Sequence, residues 1–158
     1  MKLYLVRHGD YTVDTMRRLD VLNEKGTKEI IRVANFLSHL NLHVSNILHS
    51  GKFRAQQTAE LLANGIVCNQ PIQSRQGLDP NDDVTAVANE IAHWSDDVLL
   101  VGHLPFMSKL VSKLLTGNEN KDILAFKTGT FVCLEQIDRA RWMVNWMLVP
   151  DLLNIDLK

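Results

Sequence analysis

Cysteine is scarce in this chain: Cys68 and Cys133 are the two present among 158 residues. They form no CxxC pair, and neither stands beside a histidine at metal-ligand spacing. That leaves no disulfide framework and no zinc motif, and it reads as two thiols in a reducing compartment. Charge of one sign is not in excess either. A formal net charge of −1 gives no basic field of the kind that holds nucleic acid, so none is expected as a partner. A small anion needs only a few local cations and stays open as a ligand. No apolar run approaches the ~20 residues that cross a bilayer. The N-terminus lacks the basic region and apolar core of a signal peptide. The expectation is a cytoplasmic protein without a membrane partner. Repeats, low-complexity tracts and linkers are also missing, so residues 1–158 are expected to form one domain. With 46% hydrophobic residues there is apolar material for a core. Nothing in the chain encodes an oligomeric state, and a monomer is the default.

What is present is an alternation of short apolar runs and helical patterns. Residues 2–6 (KLYLV) read as a buried strand. Residues 10–22, with Asp10, Asp14, Arg17, Arg18 and Asp20, read as a polar loop. Asn23 is an N-cap, and Ile30, Val33, Ala34, Leu37 and Leu40 recur at helical spacing to about residue 40. VSNILHS (44–50) reads as a second strand. Residues 52–64 read as a helix, with Gly65 at C′. QPIQS (70–74) suggests a short strand, and GLDPNDD (77–83) a loop in which Asp82 or Asp83 caps a helix over 84–93. DVLLVGH (97–103) is a buried strand ending in glycine and histidine. Residues 105–116 are helical, with Pro105 in the first turn. TFVCLEQI and RWMVNWMLV alternate like strands and join at 138–140 as a hairpin. Trp142 and Trp146, four apart in a strand, fall on one face by period two. The order predicts an α/β three-layer sandwich: a largely parallel sheet, helices on both faces and an antiparallel C-terminal hairpin.

In open sheets of this kind, ligands bind beyond the carboxyl ends of the strands. Arg7 and His8 follow the first strand, Ser50 to Arg54 follow the second, and His103 follows DVLLV. If the three strands are parallel neighbours, two histidines and two arginines share one crevice. Arginine offers a planar fork of donors that matches phosphate oxygens and stays charged. Two arginines and one protonated histidine can neutralise a dianionic phosphoryl group without a metal. A neutral histidine can attack phosphorus and form a phosphohistidine. Gly9 and Gly102, beside the histidines, would let the backbone approach the ligand or turn sharply.

VRHGD (6–10), HSGKFRAQQTAE (49–60) and VGHLP (101–105) resemble, in this order, the histidine phosphatase superfamily with its phosphoglycerate mutase-like fold. The short length, RHGD, and HLP after the late strand are most similar to the SixA-type phosphohistidine phosphatases. The resemblance covers nearly the whole chain. It implies that His8 is the nucleophile, that Arg7 and Arg54 clamp the phosphoryl oxygens, and that His103 donates to them. It further implies a phosphate pocket containing Gly9 and the backbone N–H of Leu104, with no cofactor and no metal. Where the family often has Arg-Pro-Leu-Thr, this chain has Asp20, Val21, Leu22 and Asn23, so Arg17 or Arg18 would have to supply that arginine. Ser-Pro of the second block is replaced by Ser50-Gly51.

Larger relatives insert a helical cap carrying a carboxylate acid. Only about twenty residues follow the Arg54 helix before the next one, too few for such a domain. A missing acid suits a P–N substrate, whose imidazole leaving group takes its proton from solvent or arrives protonated. The expected activity is therefore phosphohistidine phosphatase, acting on a phosphohistidine-containing signalling or phosphotransfer protein through phospho-His8. Alternatives are a phosphomonoesterase on a small metabolite and a non-catalytic phosphoprotein-binding module. Asp10, Asp79 and Asp82, near the rim, read as loop caps, with a general acid role or a substrate contact open for each. His39 and His43 have helical metal spacing but no third ligand. His49 lines the pocket or packs at the strand end, and His93 sits at a helix C-terminus.

Overall fold

The computed structural model describes residues 1–155. Its centre is β1 (Lys2–Arg7), whose Leu3, Tyr4, Leu5 and Val6 are all buried. Leu3 and Leu5 enter one core cluster, Tyr4 and Val6 the other, as a period of two requires of a strand covered on both faces. β4 (Asn46–His49), β5 (Gln73–Ser74) and β6 (Val98–Gly102) run parallel to β1, whereas β7 (Phe131–Asp138) runs antiparallel to it and β8 (Arg141–Leu148) antiparallel to β7. The sheet order is β5-β4-β6-β1-β7-β8. Helices α1 (Glu24–Ser38) and α2 (Phe53–Leu62) cover one face, and α3 (Val84–Ile91) and α4 (Phe106–Thr116) the other. The α/β sandwich expected from the sequence, with its antiparallel C-terminal hairpin, is the fold observed.

Local chemistry accounts for the helix starts. Asn23 Oδ1 accepts the Gly26 N–H at 2.7 Å, and Asp83 Oδ1 accepts that of Thr85 at 2.8 Å, each cap worth about 1 kcal/mol. Asp82 instead accepts the N–H of Asp79.

Several expectations are corrected. Residues 10–22 are not a loop: β2 (Tyr11–Asp14) and β3 (Leu19–Leu22) pair as a separate two-stranded hairpin. Gly65 does not take the left-handed C′ conformation. It lies in a 3-10 turn, Ala63–Gly65, where a Cβ would come within 2.0 Å of the Ala34 carbonyl oxygen on α1. Close approach of the turn to α1 is what demands glycine there.

Trp142 and Trp146 do not share a face. Cys133 pairs with Trp146, but its neighbour Leu134 pairs with Val144, so Asn145 is an extra residue in β8. This bulge reverses the phase of the strand. Trp142 joins the α3/α4 core, while Trp146 stacks on Phe131 in the other, with ring centroids 5.4 Å apart.

Candidate active site

Strand register brings the three sequence blocks together. Arg7 pairs with Gly102, and His49 with Val101, so His8, Ser50 and His103 all leave the sheet at one end. The imidazoles of His8 and His103 lie 4.9 Å apart, centroid to centroid, and both are buried. Arg54, in the first turn of α2, points its Nε at His8 Nε2 across 3.4 Å. Arg7 belongs to the same strand end but turns its Nη1 onto the Phe126 carbonyl at 2.8 Å. Its Nε is buried without a partner.

The tautomer of His8 follows from its neighbours. Nδ1 lies 2.8 Å from the Gly9 carbonyl, which can only accept, so Nδ1 carries the proton. Nε2 is left with a bare lone pair facing Arg54. Burial, reinforced by Arg54 and Arg7, pushes His8 down to about 4 against the opposing pull of the Gly9 bond. Burial likewise pushes His103 down to about 3, with His8, Arg54, Lys52 and Arg7 adding to it. Both histidines are therefore neutral in the free pocket near pH 7. Burial also lowers Arg7, which stays charged at any working pH. Arg7, Arg54 and Asp20 together carry one net positive charge beside the two imidazoles.

His103 Nε2 lies 2.6 Å from Ser50 Oγ, and its Nδ1 is buried with no partner. A buried imidazole nitrogen left over in a cationic pocket suits an incoming oxyanion. Ser50 precedes Gly51, whose φ of +93° favours glycine and bends the chain from β4 into α2.

The glycines act differently from expectation. The Gly9 N–H is donated to Thr58 Oγ1 at 3.0 Å, so it is not a free donor for phosphate. A Cβ on Gly9 would press on Ile30 and Leu22, and one on Gly102 would meet Met107 Sδ at 2.8 Å. Both positions are closely packed against neighbouring side chains. Thr58, fully buried, in turn donates to the Arg54 carbonyl at 2.8 Å and so ties the first block to the second. Leu104 is half-buried at the entry to α4, whose first bond runs from Met107 N–H to the His103 carbonyl.

Two neighbours of the pocket escaped the sequence reading, both on the unforeseen hairpin. Asp20 Oδ2 accepts from Arg54 Nη1 at 3.1 Å. The Tyr11 ring lies 4.9 Å under the Arg54 guanidinium and edge-on to His8 at 5.2 Å. The alternation Tyr11, Val13 and Leu19, Val21 was the available signal. Of the arginines offered as substitutes, Arg18 borders a cleft of about 400 Å3 shared with Asp20, Lys52 and Arg54. Arg17 is turned to Asp14.

The remaining candidates make contacts of their own. Asp10 Oδ1 accepts the Tyr11 N–H, and Asp79 pairs with Lys52. His49 Nδ1 accepts from Gly51 N–H, and His39 and His93 each donate to a carbonyl one helical turn back. Among the described residues, no three His, Cys, Asp or Glu side chains gather where a metal could be held. A second cavity, about 510 Å3, opens beside Ser45, His93, Trp94 and Val98 at the amino ends of β4 and β6, at the opposite end of those strands from His8 and His103.

The geometry thus offers a bare nucleophilic nitrogen beside two guanidinium groups and a second imidazole. The family model described as histidine phosphatase superfamily (branch 1) matches residues 3–80, which include Arg7, His8 and Arg54 but stop short of His103. An uncharacterized protein of Picosynechococcus sp. is 34% identical over 139 residues, covering 82% of each chain. Phosphohistidine phosphatase SixA of Escherichia coli K12 is 24% identical over 155 residues, 95% of this chain and 94% of that protein. The solved structure of the protein histidine phosphatase SixA with tungstate superposes with a TM-score of 0.83 at 25% identity, over 98% of this chain and 100% of that one.

Proposed function

The chain belongs to the histidine phosphatase superfamily and is a phosphatase, and from that premise we propose that it removes the phosphoryl group from phosphohistidine on another protein. The observation that carries the mechanism is the bare Nε2 of His8, held by the Nδ1–H bond to Gly9 and faced by Arg54. In the first step the Nε2 lone pair attacks phosphorus in line. The P–Nε2 bond forms as the P–N bond to the substrate imidazole breaks. The leaving nitrogen keeps the electron pair and takes a proton from solvent, or leaves as the neutral ring if it arrived protonated. Arg7 and Arg54 stabilise charge on the equatorial oxygens. His103, with its unpartnered Nδ1, donates to the same group when that nitrogen carries the proton. The N–H of Leu104, at the entry to α4, is a further donor. In the second step water attacks phosphorus, the P–Nε2 bond breaks, and inorganic phosphate leaves with the water oxygen.

The substrate class rests on what lies between α2 and α3. After Leu62 come a 3-10 turn, the two-residue β5 and a capped loop up to Val84. Among the described residues no helical cap covers the pocket, which leaves room for a side chain projecting from a protein surface. A protein of the same family and similar length bears the name phosphohistidine phosphatase, which supports the same reading.

The test is a side-by-side assay of kcat/KM on a phosphohistidine protein, a phosphoramidate and several sugar phosphate esters, with His8→Ala as control. The phosphohistidine protein should be the best substrate. Faster clearance of the sugar esters would replace this reading with that of a metabolite phosphomonoesterase.

A further inference from the structure

The β2–β3 hairpin brings an aromatic ring and a carboxylate to the phosphate pocket. In its register Tyr11 pairs with Leu22 and Val13 with Asp20, so Tyr11 and Asp20 are diagonal neighbours on one face. Both touch the same guanidinium. Asp20 Oδ2 is 3.1 Å from Arg54 Nη1, and the Tyr11 ring centroid is 4.9 Å from the Arg54 carbon that bears the nitrogens. Tyr11 also contacts the His8 imidazole. Neither residue is sealed off: Tyr11 is 40% exposed and the Asp20 side chain 34%.

A carboxylate in this position does not itself attract a dianion. It cancels part of the charge of an arginine placed to bind phosphate. A carboxylate beside an aromatic face is, however, a site for a planar or compact cation. Bonds to Gln57 and Asn23 keep the hairpin in place: Leu22 N–H donates to Gln57 Oε1 at 2.8 Å, and Asn23 N–H to the Asp10 carbonyl at 3.1 Å. The wall is thus fixed to α2 next to the reacting nitrogen.

We propose that Tyr11 and Asp20 form a leaving-group subsite that favours substrates whose leaving group is cationic and disfavours anionic ones. This rests on the phosphatase reading above and adds to it a reason for substrate choice. A protonated phosphohistidine ring is a planar cation and is favoured. Phosphate esters of hydroxycarboxylic acids place a second anion against Asp20 and are rejected. Asp20 acts on the leaving group directly, and its hold on Arg54 is a separate, positioning role.

The experiment separates the two roles with a matched ester pair. Phosphoethanolamine has an ammonium in its leaving group and phosphoglycolate a carboxylate, while the bond broken is P–O in both. The ratio of kcat/KM for the two is measured in the wild-type protein and in Asp20→Asn, Asp20→Glu and Tyr11→Phe. Both compounds are also read as competitive inhibitors of p-nitrophenyl phosphate hydrolysis, so slow turnover still yields a ratio. The wild type should prefer the ammonium compound. Asp20→Asn should shrink that preference about tenfold, the scale of one charge largely screened by water at a partly exposed site. Asp20→Glu, which keeps the charge, and Tyr11→Phe, which keeps the ring, should retain it. A wild type without the preference overturns the proposal. So does an Asp20→Asn protein in which both compounds change by the same factor, which would leave Asp20 only a positioning residue for Arg54. Because both probes are esters, the outcome does not depend on whether phosphohistidine is the substrate, and the assay on phosphohistidine protein judges that separately.

Discussion

Acidification should destabilise this protein through its own pocket. His8 and His103 are held neutral in the fold, at about 4 and about 3, whereas an unfolded chain protonates histidine near 6.5. Between these values the unfolded state binds more protons than the folded one. Stability must therefore fall as pH falls from about 6.5 toward the folded values, and it is fully present above 6.5. Going from pH 7 to pH 5, each histidine forfeits about 1.5–2 kcal/mol, so the pair costs about 3–4 kcal/mol, a large share of an ordinary domain's stability. Buried His49, pushed down by desolvation, adds in the same direction. Urea unfolding at the two pH values, followed by circular dichroism, measures the change as a shift in midpoint at constant slope. A His8→Asn, His103→Asn double variant should lose most of the difference. A wild-type midpoint unchanged between pH 7 and 5, or a double variant as acid-sensitive as the wild type, would refute the reasoning.

Other expectations concern single contacts. Arg54→Lys removes the fork that reaches His8 Nε2 and Asp20 together, and kcat/KM on a phosphohistidine protein should fall about 10²–10³-fold; a loss under threefold would place phosphate elsewhere. Gly65→Ala drives a methyl group onto the Ala34 carbonyl oxygen, which backbone cannot yield, and should cost about 3 kcal/mol or more in urea unfolding. A wild-type midpoint in that variant would mean the turn does not press on α1.

The central strands were legible because they are buried on both faces. KLYLV and DVLLV are continuous apolar runs, and the register they adopt puts both histidines at one end of the sheet. Arg7, His8, Arg54 and His103 could be picked out because each follows an element that composition alone marks. The β2–β3 hairpin was not marked in that way. Its four-residue strands are largely exposed and interrupted by Asp14, Arg17, Arg18 and Asp20, so they read as polar loop. Missing it hid Tyr11 and Asp20, which meet Arg54 only through tertiary packing. The Trp142–Trp146 pairing failed for another reason. A bulge at Asn145 adds one residue to the strand, and no local signal in RWMVNWMLV announces a change of phase. Gly9, Gly65 and Gly102 show the same limit: the atoms that exclude a side chain belong to distant residues in two of the three and to a separate helix in the third.

The most direct test of the account is to trap the phosphoenzyme. A radiolabelled phosphohistidine protein is mixed with excess enzyme, quenched in alkali within milliseconds and digested for mass spectrometry. The account predicts phosphate on Nε2 of His8, released by acid, and absent in His8→Ala together with turnover. Phosphate found on another residue, or full turnover in His8→Ala with no covalent intermediate, would contradict it.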